Sequence, residues 1–586
     1  MTQIERLREQ ILSQRPTDEQ KAAIFADELE FLLRASPGSG KTWTSCRRFI
    51  WRGANWGSRI GGLALLSFTN AAIREFHDAT IQVCQRGLLS DPNYVGTFDS
   101  FVERFIITPF GHLRSGSLKR PKLFIAPRPG DWKNKKLIAW TEVSGGKKYP
   151  VPAWEIIPFP ENGKVAFRAS KKYGGKSLVF QGYNPVEEFF KLGYYTHAQR
   201  VYLACCIIIP RTNIAECISR RFPEVIVDEA QDTNIWLLVL LNLLREKGTK
   251  VSLIGDPDQC IYEFSMANAK SLLDLKAKWE IPEKPLSKSF RCNNSIAKSV
   301  CNISGNTSFV GYGEDANESH RPFIMRETNS DYGKCISEFE VLLARADIPL
   351  SKGAILCRAH QQLEAIRGNA NYNDLQGLTK EMARAAFHRD VRKDYKKALQ
   401  IVEHSVRTMT EESEFWDNID NDASGVRFHQ VRLALWKFTK SKDGLPSVSE
   451  NGTVWINKLK DNLLNLFQAI GVTKPPKMGT KIRKTGLDKG QLELPLFLPS
   501  TVFPRIRQET IHQVKGESID GVLVLGSTKY FNDVVDSIIS NENTEERRLA
   551  YVAMTRARHV LLVGLPASHF DKNVATWQKW GFGVLP

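Results

Sequence analysis

Residues 35–42 read Ala-Ser-Pro-Gly-Ser-Gly-Lys-Thr. They lie between an apolar run, Phe-Leu-Leu-Arg-Ala (31–35), and a helix-compatible stretch, Thr-Trp-Thr-Ser-Cys-Arg-Arg-Phe-Ile (42–50). A buried strand, a glycine-rich turn and a helix are the context that a phosphate-binding loop requires. The glycines let backbone N–H groups close around phosphate oxygens, and the helix N-terminus adds a favourable dipole. In such a loop Ser36, Pro37, Gly38, Ser39 and Gly40 wrap the phosphates, Lys41 reaches the β- and γ-phosphates, and the Thr42 hydroxyl holds Mg²⁺. Ala35 stands where the usual pattern begins with glycine. Gly-Ser-Gly-Lys-Thr also arises by chance in exposed turns, and the preceding strand argues against that origin here.

With 586 residues the chain has room for three or four domains. Its 42% hydrophobic and 25% charged content suits a globular protein. The longest apolar run, Val201 to Pro210, falls far short of the about 20 residues a bilayer span needs. The N-terminus carries no apolar signal segment, and the ten cysteines form no Cys-x-x-Cys pair. A cytoplasmic protein with reduced, packed thiols is expected, without a membrane association, a disulfide framework or a zinc site. Net charge is +17, and residues 111–180 hold 15 Lys and Arg against 4 Asp and Glu. Nine aromatics interleave with these charges, among them Trp132, Trp140, Tyr149, Trp154 and Tyr173. Basic residues neutralise phosphates, which favours a nucleic-acid partner for the charge. Aromatics stack on unpaired bases, but here the packing of a small core is the stronger reading.

Gln20 follows Thr17 at capping-box spacing, and its amide also suits the edge of an adenine, so both uses are open. A second buried strand is expected within 59–69, ending in Phe68-Thr69-Asn70, and a third leads into Thr97-Phe98-Asp99-Ser100. The run Pro-Glu-Val-Ile-Val-Asp-Glu-Ala-Gln-Asp-Thr (223–233) delivers acids to the carboxyl edge of a parallel sheet, where ligands bind. There Asp228 suits Mg²⁺ and Glu229 suits orientation and deprotonation of a water. After the strand at 250–256, Gln259 is placed to sense a γ-phosphate. Tyr262 and Phe264 are candidates to stack on DNA or to pack a core. Further strands are expected at 323–328, 353–358, 521–526 and 559–564. The 362–470 stretch reads as mostly helical, and 471–500 as a linker.

In order along almost the whole chain, these motifs resemble those of the UvrD/Rep/PcrA group of superfamily 1 DNA helicases. Asp228-Glu229-Ala230-Gln231-Asp232 is the most group-specific string. The resemblance implies adenine contact by Gln20, stacking of adenine on Phe290 and a γ-phosphate contact by Arg291 in Ser289-Phe290-Arg291. It implies an arginine finger at Arg556 in Tyr551-Val552-Ala553-Met554-Thr555-Arg556-Ala557. DNA contacts are implied for Phe68, Thr69, Asn70, Thr97, Phe98, Tyr262, Phe264, Arg358 and His512, the last in Thr510-Ile511-His512 with Lys515-Gly516. The implied fold is α/β, with two RecA-like P-loop domains of parallel sheet flanked by helices, each carrying an insertion. The first domain covers 1–106 plus 196–284, with a basic insertion at 107–195. The second covers 285–361 plus 506–586, with a mostly helical insertion at 362–505. ATP and Mg²⁺ are the implied cofactors, single-stranded or partially single-stranded DNA the substrate, and 3′-to-5′ movement the family polarity.

Three departures stand out. Phe264-Ser265-Met266-Ala267 lacks the arginine of the usual aromatic-Arg-Gly-Ala. Glu517 is displaced by one position from the glutamate expected near the ribose, and Phe290 replaces tyrosine. Strand separation is therefore less firmly implied than hydrolysis, and a DNA-end-sensing ATPase stands beside the repair helicase as a reading. The chain's length, its segment 96–110 and its close after the last motif also resemble the GajB family of bacterial Gabija anti-phage systems. That resemblance implies an OLD-family nuclease partner of the GajA type.

Overall fold

The computed structural model describes the chain outside residues 1, 58–60, 83–85, 118–119, 126–134, 144–146, 171–177, 181–182, 262–268, 306–308, 314–320, 328–331, 360–361, 364–365, 367–376, 391–392, 411–414, 417–418, 420–425, 473–477 and 483–505. Its residues form two compact units. One comprises 1–125, 137–358 and 506–586, and the other 126–136 and 359–505.

The larger unit contains two six-stranded sheets, and every pairing within them is parallel. The α/β expectation therefore holds. In the first sheet the strands lie in the order Glu283–Leu286, Leu32–Ala35, Lys250–Gly255, Glu224–Val227, Leu63–Ser67, Tyr94–Thr97. All residues of Leu63–Ser67 and Glu224–Val227 are buried. Both faces are covered, so these strands read as continuous apolar runs rather than alternating ones. The strand Leu32–Ala35 lies between Glu283–Leu286 and Lys250–Gly255, and Lys250–Gly255 in turn adjoins Glu224–Val227. This order sets the loops after residues 35, 255 and 227 side by side at one sheet edge.

The second sheet runs Arg507–Thr510, Gly353–Cys357, Ile519–Leu525, Ala557–Pro566, Phe323–Glu327, Gly583–Leu585. The strand Lys288–Asn293 pairs separately with Val310–Tyr312 and leads into helix Asn294–Ser304, capped by Asn293. The buried side chains of Tyr551, Trp577, Phe531 and Leu561 belong to the core beneath this sheet.

An insertion is expected from residue 107. Helical backbone continues from Phe98 to Ser115, with a wide π-turn at Glu103–Ile107. Beyond it come two small antiparallel arrangements, Ile138–Val143 with Lys147–Pro152, and Ile156–Glu161 with Lys164–Ala169 and Val179–Phe180. Their inward residues, including Val151, Ile156 and Phe167, merge with Tyr202 and Trp236 in the core of the first sheet. The segment thus packs largely onto the first sheet's core, and Leu137, Ala153 and Phe189 with Phe124 and Trp154 form a small cluster of their own. Trp154 stacks on Phe124 at 5.1 Å, whereas Trp140 is 55% exposed. Trp132, Tyr173 and the side chain of Tyr149 lie outside the described residues.

The second unit is helical, with Gly377–Asp390, Tyr395–Met409, Val426–Lys440 and Gly452–Ile470 around Trp416, Trp455 and Phe467. Buried Arg389 donates to the carbonyls of Thr439, Ser441 and Pro446 and pairs with Asp390 at 2.6 Å. One guanidinium thereby satisfies several carbonyls of the turn after residue 440, which otherwise would be buried without partners. No single helix among the described residues is long and apolar enough to cross a membrane.

Candidate functional site

Gly38 and Gly40 take the left-handed backbone, at φ +71° and +81°. A Cβ on Gly38 would strike the Arg291 side chain, and one on Gly40 would sit 2.9 Å from Gln20 Nε2. The glycines therefore serve conformation and close approach together. The Ser289 hydroxyl donates to the Pro37 carbonyl at 2.8 Å, and the Phe290 N–H to that of Gly38 at 2.8 Å. Residues 289–291 are so pinned against the phosphate loop. Thr17 caps the helix Asp18–Ile24, and the Gln20 amide oxygen accepts from the Thr17 N–H at 3.0 Å. The amide nitrogen of Gln20 donates to the Ser39 carbonyl at 3.0 Å. The structure thus gives Gln20 the cap and, in addition, a clasp on the loop; the adenine contact would require this amide to exchange a partner.

The Thr42 hydroxyl donates to Asp228 Oδ2 at 3.4 Å, while buried Asp228 Oδ1 and Ser39 Oγ have no hydrogen-bond partner among the described residues. An orphaned carboxylate oxygen beside a threonine hydroxyl at a phosphate loop is a donor set suited to Mg²⁺, a hard cation. Burial, and then the neighbouring Glu229, raises the Asp228 pKa, as expected where a compensating cation belongs. Burial also pushes Glu229 upward, but Lys41, Lys515, the Gln231 hydrogen bond and Arg556 together leave that carboxyl lowered, hence ionised. Glu229 sits at φ +54°, an uncommon backbone for a non-glycine residue that turns its carboxylate from the strand end into the cleft.

From Glu229 a chain of hydrogen bonds crosses the cleft. Gln231 Nε2 donates to Glu229 at 2.5 Å, and Gln231 Oε1 accepts from the Asp256 N–H at 3.1 Å. Asp256 Oδ2 accepts from Gln259 Nε2 at 2.7 Å, and Gln259 Oε1 accepts from Arg556 Nη2 at 3.3 Å. Arg556 is fully buried, and its remaining donors reach the carbonyls of Val552 and Glu517. Arg291 bonds the Ser518 hydroxyl and the carbonyls of Thr555 and Gly516. Burial, followed by the nearness of Arg291, lowers the Arg556 pKa. Two guanidinium groups drawn together, with no carboxylate in ion-pair contact with either among the described residues, form a site for an anion. Phe290, 50% exposed, lies at the same place, with Lys288 Nζ 6.0 Å from its ring centroid. Lys41, Thr42, Glu229, Gln259, Phe290, Arg291, Glu517 and Arg556 all line one cleft of about 1300 Å³. Glu517 turns aside to pair with Arg507 at 2.6 Å, so its displaced position carries its carboxylate to another partner.

Models of two halves of one family match the chain. The UvrD/REP helicase N-terminal domain matches residues 16–138 and 186–280, and the UvrD-like helicase C-terminal domain matches 378–566. The chain belongs to the UvrD/Rep helicase family. It is 24% identical to DNA helicase II of Escherichia coli strain K12 over 260 residues, 44% of this chain and 35% of that protein. It is 20% identical to a probable DNA helicase II homolog of Mycoplasma genitalium, over 93% of this chain and 84% of that protein. The Rep helicase of Buchnera aphidicola from Acyrthosiphon pisum is 22% identical over 58% of this chain and 62% of its own length. The chain therefore spans about a third of the DNA helicase II proteins of enterobacteria that it matches.

As in the motif order of a UvrD-type chain, Phe68, Thr69, Asn70 and Thr97 line the same cleft beyond the phosphate loop. Phe98, for which a DNA contact is also expected, borders the same cleft; it is 4% exposed and packs against Phe68 with ring centroids 4.9 Å apart. Its ring follows the inward side of a helix start, where core packing wins over exposure. Arg358 pairs with Glu546 at 2.7 Å and lies over the Tyr530 ring. His512 Nε2 lies 3.1 Å from the Ile261 carbonyl, and its partial burial lowers its pKa. Tyr262, Phe264 and Ser265 lie outside the described residues. Sequence reasoning missed a buried ion pair across the cleft, Lys515 Nζ to both oxygens of Asp232 at 2.6 and 2.7 Å. It also missed His197 and Arg200, which line the cleft from helix His197–Ile208. Neither stands in a motif, and no local pattern marks them.

Proposed function

We propose that this protein is an ATP-driven single-stranded-DNA translocase with helicase activity. The observation that carries the reading is the hydrogen-bonded path from Glu229 of the first domain to Arg556 of the second. Glu229 accepts a proton from the attacking water, and Lys41, Arg291 and Arg556 cover the negative charge of the γ-phosphate. Phe290 stacks on the base. Thr42 and Asp228 would hold Mg²⁺, which in phosphoryl transfer neutralises charge on the β- and γ-oxygens. Because the γ-phosphate is gripped from both domains, its loss releases one from the other, and Gln259 links that event to the acids of the first. A strand held across both domains is then advanced, with 3′-to-5′ as the expected direction. The test is ATP hydrolysis with and without single-stranded DNA over a salt titration. Strong stimulation that declines with salt supports the reading, and a rate indifferent to DNA at low salt refutes it.

We further propose, on the similarity of residues 96–110 to the GajB family, that the ATPase licenses a nuclease of the OLD type in anti-phage defence within a bacterial cytoplasm. Repair of the UvrD kind is the alternative. Co-expression with such a nuclease, size-exclusion chromatography and plaque assays separate the two. A protein that stays alone, or protection that survives Lys41→Ala, counts against the defence role.

A further inference from the structure

The cleft is larger than a nucleotide needs, and one arm of it leads away from the phosphate loop past Phe68, Thr69, Thr97, Asp99 and His197. The chemistry of that arm is set by a small polar cluster. Arg200, 4% exposed, places Nη2 3.0 Å from His197 Nδ1 and Nη1 3.3 Å from Asp99 Oδ2. Its Nε faces Glu103 at 3.6 Å, too far for a hydrogen bond. Glu103 in turn accepts from the Tyr195 hydroxyl. The cluster fastens the helix beginning at His197 to the helix beginning at Phe98.

A guanidinium nitrogen has only protons to give. His197 Nδ1 also lies 3.4 Å from Asp99 Oδ2, but the Arg200 contact is the shorter, at 3.0 Å, and can only be accepted, which favours a neutral ring with its proton on Nε2. The imidazole is 61% exposed and lines the cleft. Beside it Asp99, 49% exposed, offers carboxylate oxygens. The result is a donor and an acceptor side by side. A phosphodiester presents acceptors alone and would meet the Asp99 charge. The edge of an unpaired base presents both kinds of group.

We propose that His197 and Asp99 form a base-edge subsite for the single strand, with His197 Nε2–H donating to a base acceptor and Asp99 accepting from a base N–H. Arg200 is the positioning residue that sets the histidine tautomer and shares the Asp99 charge. This inference rests on the proposed single-strand binding and adds the residues that touch a base.

The test is fluorescence anisotropy of a labelled mixed-sequence DNA single strand, without nucleotide, for wild type, His197→Ala and His197→Gln. Gln places an amide N–H near the position of Nε2–H. The expected result is a roughly three- to tenfold weaker affinity for the alanine variant, the size of one net hydrogen bond, and near wild-type affinity for glutamine. Thermal midpoints of the variants show that the fold is kept. A lost base contact leaves the dependence of log Kd on log salt unchanged, whereas a lost phosphate contact lowers its slope by about 0.7. Equal binding by wild type and His197→Ala overturns the subsite alone, and so does a changed slope. A wild type that binds no single strand overturns both the subsite and the function on which it rests.

Discussion

Replacing Lys515 by Met should destabilise the larger unit more than any exposed charge substitution in it. Lys515 and Asp232 are each less than a tenth exposed and belong to opposite sides of the cleft. Methionine keeps the apolar stem and removes the charge, which leaves the Asp232 carboxylate buried without its cation. Breaking such a pair from one side costs about 3–5 kcal/mol. Asp232→Asn strands the ammonium and should cost a similar amount. Burial raises the Asp232 pKa to about 6 even though Lys515 opposes the shift. Desolvation thus exceeds the attraction within the pair, so removing both charges together should cost far less than the two single changes added. Urea unfolding of wild type, the two single variants and Asp232→Asn/Lys515→Met gives the coupling directly, and about 2 kcal/mol or more is expected. Single costs that add to within about 0.5 kcal/mol would refute the pairing as the source of the effect.

Lys41→Ala should lose both ATP affinity and turnover, while Glu229→Gln should bind ATP and fail to hydrolyse it; a fluorescent-nucleotide titration beside a phosphate-release assay separates them. Arg556→Ala should bind ATP but turn over about 10³-fold more slowly if it acts as a finger, and near-normal turnover would remove that role. Phe290→Ala should weaken nucleotide binding by about 1 kcal/mol through the lost ring face, and Phe290→Tyr should not, as read by the same titration. His569 lies buried between Asn532 and Trp577, and burial depresses its pKa to about 4. The unfolded chain therefore takes up the proton first as pH falls. Stability from this group is complete above pH about 6.5, is lost progressively toward pH about 4, and amounts to about 3 kcal/mol at most. Thermal midpoints of His569→Gln should show a shallower decline than wild type across that window.

The phosphate loop, the acid-bearing strand end and the alternation of strand and helix are local properties. A left-handed glycine at 38 or 40 follows from the turn itself, and a strand covered on both faces must be apolar throughout, so Val225, Ile226 and Val227 announce their place without reference to the rest of the chain. Other features had no local signature. Phe98 sits at a strand end among candidate DNA contacts, and only packing against Phe68 decides that its ring faces the core. Gln20 has the spacing of a cap, and nothing near it in the chain reveals that Ser39 takes its other amide group. Gln259 and Arg556 are separated by 297 positions, and Asp232 and Lys515 by 283. Each side chain is compatible with many partners, and the partner chosen depends on how the two sheets set their edges against each other. Residue type and spacing determined which chemistry this protein carries. Which groups meet and which are desolvated were decided by the tertiary structure, because burial and contact are properties of space and not of order along the chain.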